Sequence, residues 1–343
     1  MQPPSSFRAG VAGLVALLSL LPGTAGVAWG QNAVCPDVAE RGYLDLLTIN
    51  LLFSEVETRD ARLAALAEFI APEDGDGAAP LADVILLQEV VGGVLAATAS
   101  SARDLQRLLA GRGVTFELRT AAYFSLPGQL TVGNATLSRC DIRARLVEGL
   151  PPAPEFEIGG EAVELPRNVL MTRIDVPGFG RIEVYNTHLC AGCTAEQRAE
   201  QLEALLEFVD EVEGFLPGAD PVVLGGDFNI DIFREDEEAG RPLYASIIAE
   251  GFTDAYAEGA SANDLEELCE DPDDPDEHCT FGVSALSTGS NARRIDYIFT
   301  ENFGPMLFAE VVFNPLIDPG EPTVSDHSGV LVRVALPGAE PLM

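Results

Sequence analysis

The chain has 343 residues, of which 55 are acidic and 20 basic, a net charge of −35, and every basic residue is an arginine. So negative a field repels nucleic acid and anionic membranes at low salt unless metal ions or a local arginine cluster offset it. Composition therefore argues against broad polyanion binding, and the acidic surface otherwise reads as adaptation to a salty medium.

Residues 1–30 hold one charge, Arg8, then an apolar stretch over Ala9–Leu21 and a small-residue ending at Ala28-Trp29-Gly30. This is the pattern of a signal peptide. Cleavage near Gly30 and secretion, extracellular or periplasmic, are expected rather than anchoring by a span. Cys35 lacks the small-residue approach of a lipoprotein signal. Residues 31–343 read as a single catalytic domain, because polar islands run from Asn50 to His327 and any internal boundary would divide them.

Leu44–Leu52 reads as a strand and Thr58–Ile70 as a helix with apolar Leu63, Leu66, Phe69 and Ile70. A Gly/Asp/Pro loop over 71–80 precedes a second strand, Asp83–Glu89, and a second helix, Leu95–Leu109. Strand patterns follow at Val114–Leu118, Thr131–Leu137, Arg143–Leu146, Val169–Asp175 and Arg181–Asn186. Ala195–Glu213 is an amphipathic helix through Leu202, Leu205, Leu206 and Val209, and Val222–Leu224, Arg294–Phe299 and Gly329–Val334 supply later strands. Helices interleaved with two groups of strands predict an α/β fold, a layered sandwich with two packed sheets. Glu266–Cys279, rich in Asp and Pro, reads as a solvated loop rather than a calcium site.

Six cysteines in an exported chain point to disulfides. Proximity pairs Cys190 with Cys193 and Cys269 with Cys279, leaving Cys35 and Cys140. Free buried thiols, or zinc at Cys190, are the alternatives.

Several islands follow apolar, strand-prone runs, so their side chains converge on one rim. Glu89 leaves the run Val84-Ile85-Leu86-Leu87, where an ionised carboxylate is costly unless it meets a cation, which marks it as a metal ligand. Asn50 ends the first strand. Asp227 and Asn229 are two apart and share a side if their strand continues, the first orienting a water and the second donating to a phosphoryl oxygen. His188 and His327 are two of only three histidines. His188 suits a phosphate oxygen, and His327 suits a base or transition-state stabiliser with Asp296 orienting it.

The motifs Leu47-Thr48-Ile49-Asn50, Leu87-Gln88-Glu89, Asn186-Thr187-His188-Leu189, Gly225-Gly226-Asp227-Phe228-Asn229, Arg294-Ile295-Asp296-Tyr297 and Ser325-Asp326-His327, in this order, resemble the endonuclease/exonuclease/phosphatase superfamily. That superfamily includes deoxyribonuclease-like nucleases and bacterial sphingomyelinases. The resemblance covers Leu44–Val334. It implies a four-layered α/β sandwich with two packed mixed β-sheets flanked by helices. It also implies Mg²⁺-dependent phosphoester hydrolysis, with Mn²⁺ or Ca²⁺ as alternatives. Asn50, Glu89 and Asp326 would surround the metal, Asp227 and Asn229 position water and phosphate, His188 contact phosphate, and Asp296 and His327 form a dyad. Gly133–Arg139 is similar to a family stretch, with Asn134 and Thr136 more polar than usual. Glu117 is where the resemblance looks for a carboxylate orienting His188.

The expected protein is a secreted, monomeric, metal-dependent phosphodiester hydrolase without a transmembrane segment. Its local arginine groups, Arg139, Arg143 and Arg145 and the pair Arg293-Arg294, suit a single phosphate better than a duplex. Arg198 and Gln201 follow the His188 island much as in the sphingomyelinase-like branch. A lipid headgroup or small-molecule phosphodiester is therefore favoured, with a nuclease acting on nucleic acid as the alternative and a non-catalytic binding protein on the same fold as the third reading.

Overall fold

The computed structural model describes residues 35–73, 81–158, 161–215, 220–232, 240–259, 269, 276–287, 292–317, 319–320 and 322–339, all within the unit Ala33–Met343. The expected signal peptide, residues 1–30, and most of the loops expected over 71–80 and 266–279 lie outside the described residues. In chain order the elements are α1 (Pro36–Arg41), β1 (Tyr43–Asn50), α2 (Arg59–Ile70), β2 (Val84–Gly92), α3 (Ser101–Gly111), β3 (Glu117–Leu126), β4 (Leu130–Ser138), β5 (Asp141–Leu150), β6 (Glu155–Ile158), β7 (Glu161–Glu164), β8 (Arg167–Val176), β9 (Gly180–His188), α4 (Ala195–Phe215), β10 (Val222–Asp227), α5 (Gly240–Ala249), β11 (Thr253–Asp254), α6 (Ala255–Gly259), β12 (Asp296–Glu301), β13 (Met306–Val312) and β14 (Gly329–Ala335).

Two six-stranded mixed sheets result, ordered β13-β14-β1-β2-β4-β3 and β11-β12-β10-β9-β8-β5. Each has one parallel pair, β1 with β2 and β9 with β10. A parallel pair needs a crossover, which α2 and α4 provide. The apolar runs of β1 and β2 divide by the two-residue strand period. Leu44, Leu46, Val84 and Leu86 join the core containing Val184, Leu224 and Ile298 of the opposite sheet, while Leu47, Ile49, Ile85 and Leu87 pack with Leu63, Leu66 and Leu105 of α2 and α3. Leu202, Leu205 and Val209 of α4 join the former core. The expected four-layered sandwich is the architecture.

Buried amides join the sheets. Gln88 Nε2 donates to Asn186 Oδ1 at 2.8 Å, and Asn186 Nδ2 donates to the carbonyls of Leu87 at 3.2 Å and Ala135 at 2.8 Å. The polar Asn134 has the same purpose, its Nδ2 lying 3.1 Å from Asn168 Oδ1. Disulfides join Cys35 to Cys140, Cys190 to Cys193 and Cys269 to Cys279. Among the described residues no helix is long and apolar enough to cross a membrane.

Candidate active site

Strand register gathers the polar islands at one end of both sheets. Asn50 pairs with Gln88, and Asp227 pairs with both His188 and Asp296. β14 starts at Gly329 and runs antiparallel to β1, so His327 enters at the same end. Gly226 makes the close approach beside Asp227 feasible. Its φ is +138°, and a Cβ there would lie 2.0 Å from the Thr187 carbonyl oxygen.

Hydrogen bonds then cross from sheet to sheet. Asn50 Nδ2 donates to Asp227 Oδ2 at 3.0 Å, and His327 Nδ1 meets Asp296 Oδ2 at 2.9 Å. Asp227 Oδ2 also lies 3.3 Å from His188 Nε2 and 3.8 Å from His327 Nε2. Phe281 packs on the His327 ring with centroids 4.8 Å apart. Glu89 occupies a break in the β2–β4 register with φ at +55°, and its Oε2 accepts the Phe53 N–H at 2.9 Å. The bulge re-aims this carboxylate out of the ladder. Asp326 is half-buried, and its carboxylate adds to the repulsion felt by Glu89.

These contacts separate the protonation states. Burial would lower the His327 pKa, but the carboxylates of Asp296 and Asp227 overrule it and hold the ring cationic to about 10. His188 goes the other way, well below its ordinary value, through burial and the nearby charges of Arg167 and His327. Its Nδ1 is buried without a hydrogen-bond partner. A buried lone pair costs less than a buried unpaired N–H, so the proton belongs on Nε2, facing Asp227. Burial and Asp296 raise Asp227 to about 7, and burial raises Glu89.

Asp227, Asp296 and His327 each bring a ligand-capable atom within 4.8 Å of the others, and Asp296 Oδ1 is buried without a partner. These three are engaged with one another, whereas Glu89, a buried carboxylate pushed toward neutrality by burial and by neighbouring Asp326, fits a hard divalent cation. The cysteines of the other acidic cluster, Cys269 and Cys279 with Asp276, are bonded to each other.

Several expected roles change. Glu117 pairs with Ser138, which pairs with Val84, so it sits at the opposite end of its sheet from His188 and binds Arg119 and the Ile142 N–H. Asn229 is not a strand neighbour of Asp227. β10 has ended, Asn229 has φ at +51°, and its Nδ2 donates to the Leu189 carbonyl at 3.0 Å. Arg294 is buried against Asp254 with both carboxylate oxygens at 2.8 Å, and Arg139 binds Asp83 at the far end of β2. Arg198 and Gln201 donate to the backbone carbonyls of Cys190 and Pro152, which ties α4 to the segments after β9 and β5.

Two further side chains join the site. Arg167, at the start of β8, lies 5.0 Å over the Tyr123 ring, and Tyr123 stands edge-on to His188 with centroids 6.2 Å apart. The rule that singles out Glu89 also applies to Arg167, a charge bordering the apolar run Val169-Leu170-Met171. Arg62 of α2 braces the rim from beneath, donating to the carbonyls of Leu51, Leu52 and Glu55 beside Asn50 and of Val324 beside Asp326.

The sequence model of the Endonuclease/Exonuclease/phosphatase family matches residues 47–327. No curated protein matches the chain. Among solved structures, the chain is similar to an endonuclease/exonuclease/phosphatase from Beutenbergia cavernae, at 25% identity and a TM-score of 0.60 over 87% of this chain and 73% of that one. It is also similar to a family protein from Leptotrichia buccalis, at 20% identity and TM-score 0.59 over 85% and 99% of the two chains. A mannosyl-6-phosphatase of Bacteroides thetaiotaomicron gives 18% and 0.56 over 85% and 99%.

Proposed function

From membership of the endonuclease/exonuclease/phosphatase family, to which the chain belongs, we propose that it is a secreted, divalent-metal-dependent phosphodiester hydrolase acting on a lipid headgroup or another small phosphodiester. The observation that carries this reading is the buried cluster of Asp227, Asp296 and His327, closed by Asn50 from the opposite sheet. The leading segment over residues 1–30 and three disulfides support export.

Glu89, Asp326 and Asn50 would hold the cation, Mg²⁺ first with Mn²⁺ or Ca²⁺ as alternatives, which when bound neutralises phosphoryl charge and favours departure of the leaving oxygen. Asp227, with its pKa raised to about 7, takes a proton from the attacking water near neutral pH. The neutral His188 donates from Nε2, and the cationic His327, oriented by Asp296, stabilises charge on the phosphoryl oxygens. Arg167 supplies a guanidinium suited to a second phosphoryl oxygen. Asn229 fixes the turn after Asp227 and keeps its other amide hydrogen for the substrate.

The test is hydrolysis by the purified chain, with Mg²⁺, of bis-p-nitrophenyl phosphate, sphingomyelin and DNA. Glu89→Ala and His327→Ala are expected to lose at least about a hundredfold in kcat. Wild-type rates in both variants would sink the hydrolase reading. Cleavage of DNA at high salt without lipid turnover would replace the lipid preference with a nuclease.

A further inference from the structure

An uncharged crest rises beside the catalytic end. β1 ends at Asn50, but β2 continues beyond Glu89 to Gly92, and β3 and β4 extend with it to the turn between Leu126 and Leu130. At roughly 3.3 Å per residue this wall climbs about 10 Å past Glu89 before its loops begin. On top, Val94 is 78%, Leu95 61% and Leu126 42% exposed.

The crest is built, not frayed. The Gly93 N–H donates to the Thr98 carbonyl at 2.7 Å and the Leu95 N–H to the Gln129 carbonyl at 3.0 Å, while the Arg59 guanidinium holds the Ala96 carbonyl. Gly93 has φ at +110°, and a Cβ there would meet the Gln129 carbonyl oxygen at 2.4 Å. Only glycine lets the two turns touch. Between them lies a shallow, mainly apolar groove of about 570 Å³ bordered by Val94, Ala97, Gln129 and Leu130.

Charge distribution identifies the occupant. In a chain with a net charge of −35, residues 90–102 and 120–138 carry no charged side chain. Other exposed apolar pairs lie closer to charge along the chain: Leu146 and Val147 sit between Arg145 and Glu148, Leu307 and Phe308 just before Glu310, and Leu316 and Ile317 just before Asp318. We propose that the crest docks the protein on an electroneutral lipid–water interface, bringing zwitterionic headgroups to the neighbouring site. Rigid exposed Val and Leu side chains gain from leaving water, and the acidic remainder of the surface is repelled by anionic lipid but not by zwitterionic lipid. The inference rests on the hydrolase reading only for what befalls the docked headgroup.

The experiment is co-sedimentation of the chain with phosphatidylcholine vesicles and with vesicles enriched in phosphatidylserine, beside hydrolysis of soluble bis-p-nitrophenyl phosphate. Wild type is expected to bind phosphatidylcholine and to bind phosphatidylserine-rich vesicles less well at low salt. Val94→Asp with Leu95→Asp, and separately Leu126→Asp, are expected to weaken binding at least about tenfold while soluble turnover and thermal unfolding stay unchanged. Absence of wild-type binding, or variants that bind like wild type, overturns the proposal. So does self-association abolished by the same variants, seen by sedimentation velocity, since the crest would then join two copies. Soluble hydrolysis without vesicle binding refutes docking alone; vesicle binding without hydrolysis refutes the hydrolase reading alone.

Discussion

Asp296→Asn removes the carboxylate that keeps His327 charged. His327 is 6% exposed and Asp296 0%, and the ring holds its proton to about 10 against an ordinary value of 6.5. The folded pKa lies above the unfolded one, so this interaction stabilises the fold fully below about pH 6.5 and is lost as pH rises through 10. A shift of that size corresponds to about 5 kcal/mol at 1.36 kcal/mol per pKa unit. Breaking a buried pair typically costs about 3–5 kcal/mol, which is the range expected at pH 7. The gap between variant and wild type should close above pH 10. With three histidines in the chain, ring-proton NMR of the metal-free protein can follow each one. The wild-type His327 resonance is expected to stay cationic past pH 9 and, in the variant, to lose its proton at lower pH, with Asp227 and Asp326 the carboxylates still raising it. A wild-type His327 that titrates close to 6.5, or equal urea stability of both proteins at pH 7, would refute the assignment.

Two stability predictions concern the frame. Cys35→Ser with Cys140→Ser opens a link between residues 105 apart and should cost about 4.7 kcal/mol in urea unfolding, against which a loss below about 1 kcal/mol would count. Asn186→Leu removes three hydrogen bonds between the buried sheets, those with Gln88 and with the carbonyls of Leu87 and Ala135, and leaves Gln88 Nε2 only Thr48 Oγ1 at 3.1 Å. At about 0.5–1.5 kcal/mol per bond lost, a loss of about 2–4 kcal/mol is expected, with an unchanged urea midpoint as the contrary result.

The strand ends at Asn50, His188 and Asp227 were legible because each closes a run of buried residues, whereas β2, expected to end at Glu89, bulges there and runs on to Gly92. Elements without such a run were harder to read. β13 is a half-exposed edge strand, and α5 opens on Gly240-Arg241-Pro242, residues that usually signal a break. The helix expected from Leu95 starts at Ser101, with Ser100 as its cap, because Val94 and Leu95 belong to the exposed turn before it. Glu117 misleads through proximity along the chain. In an antiparallel hairpin the start of one strand lies beside the end of the next, so closeness to Gly133 in sequence placed it at the wrong end of the sheet. The meeting of Tyr123 with Arg167 depends on two sheets facing each other, which no local pattern encodes.

The site is divided between the sheets: Asn50, Glu89, Asp326 and His327 belong to one side, and His188, Asp227 and Asp296 to the other. Activity therefore reports alignment between two slabs, each of which keeps its own ladder intact. A slip of about 1 Å along their seam would leave circular dichroism unchanged yet separate Asp227, the proposed base, from Glu89 of the proposed cation site. On warming, turnover should fail while secondary structure persists, making the enzyme a strain gauge for its own interior.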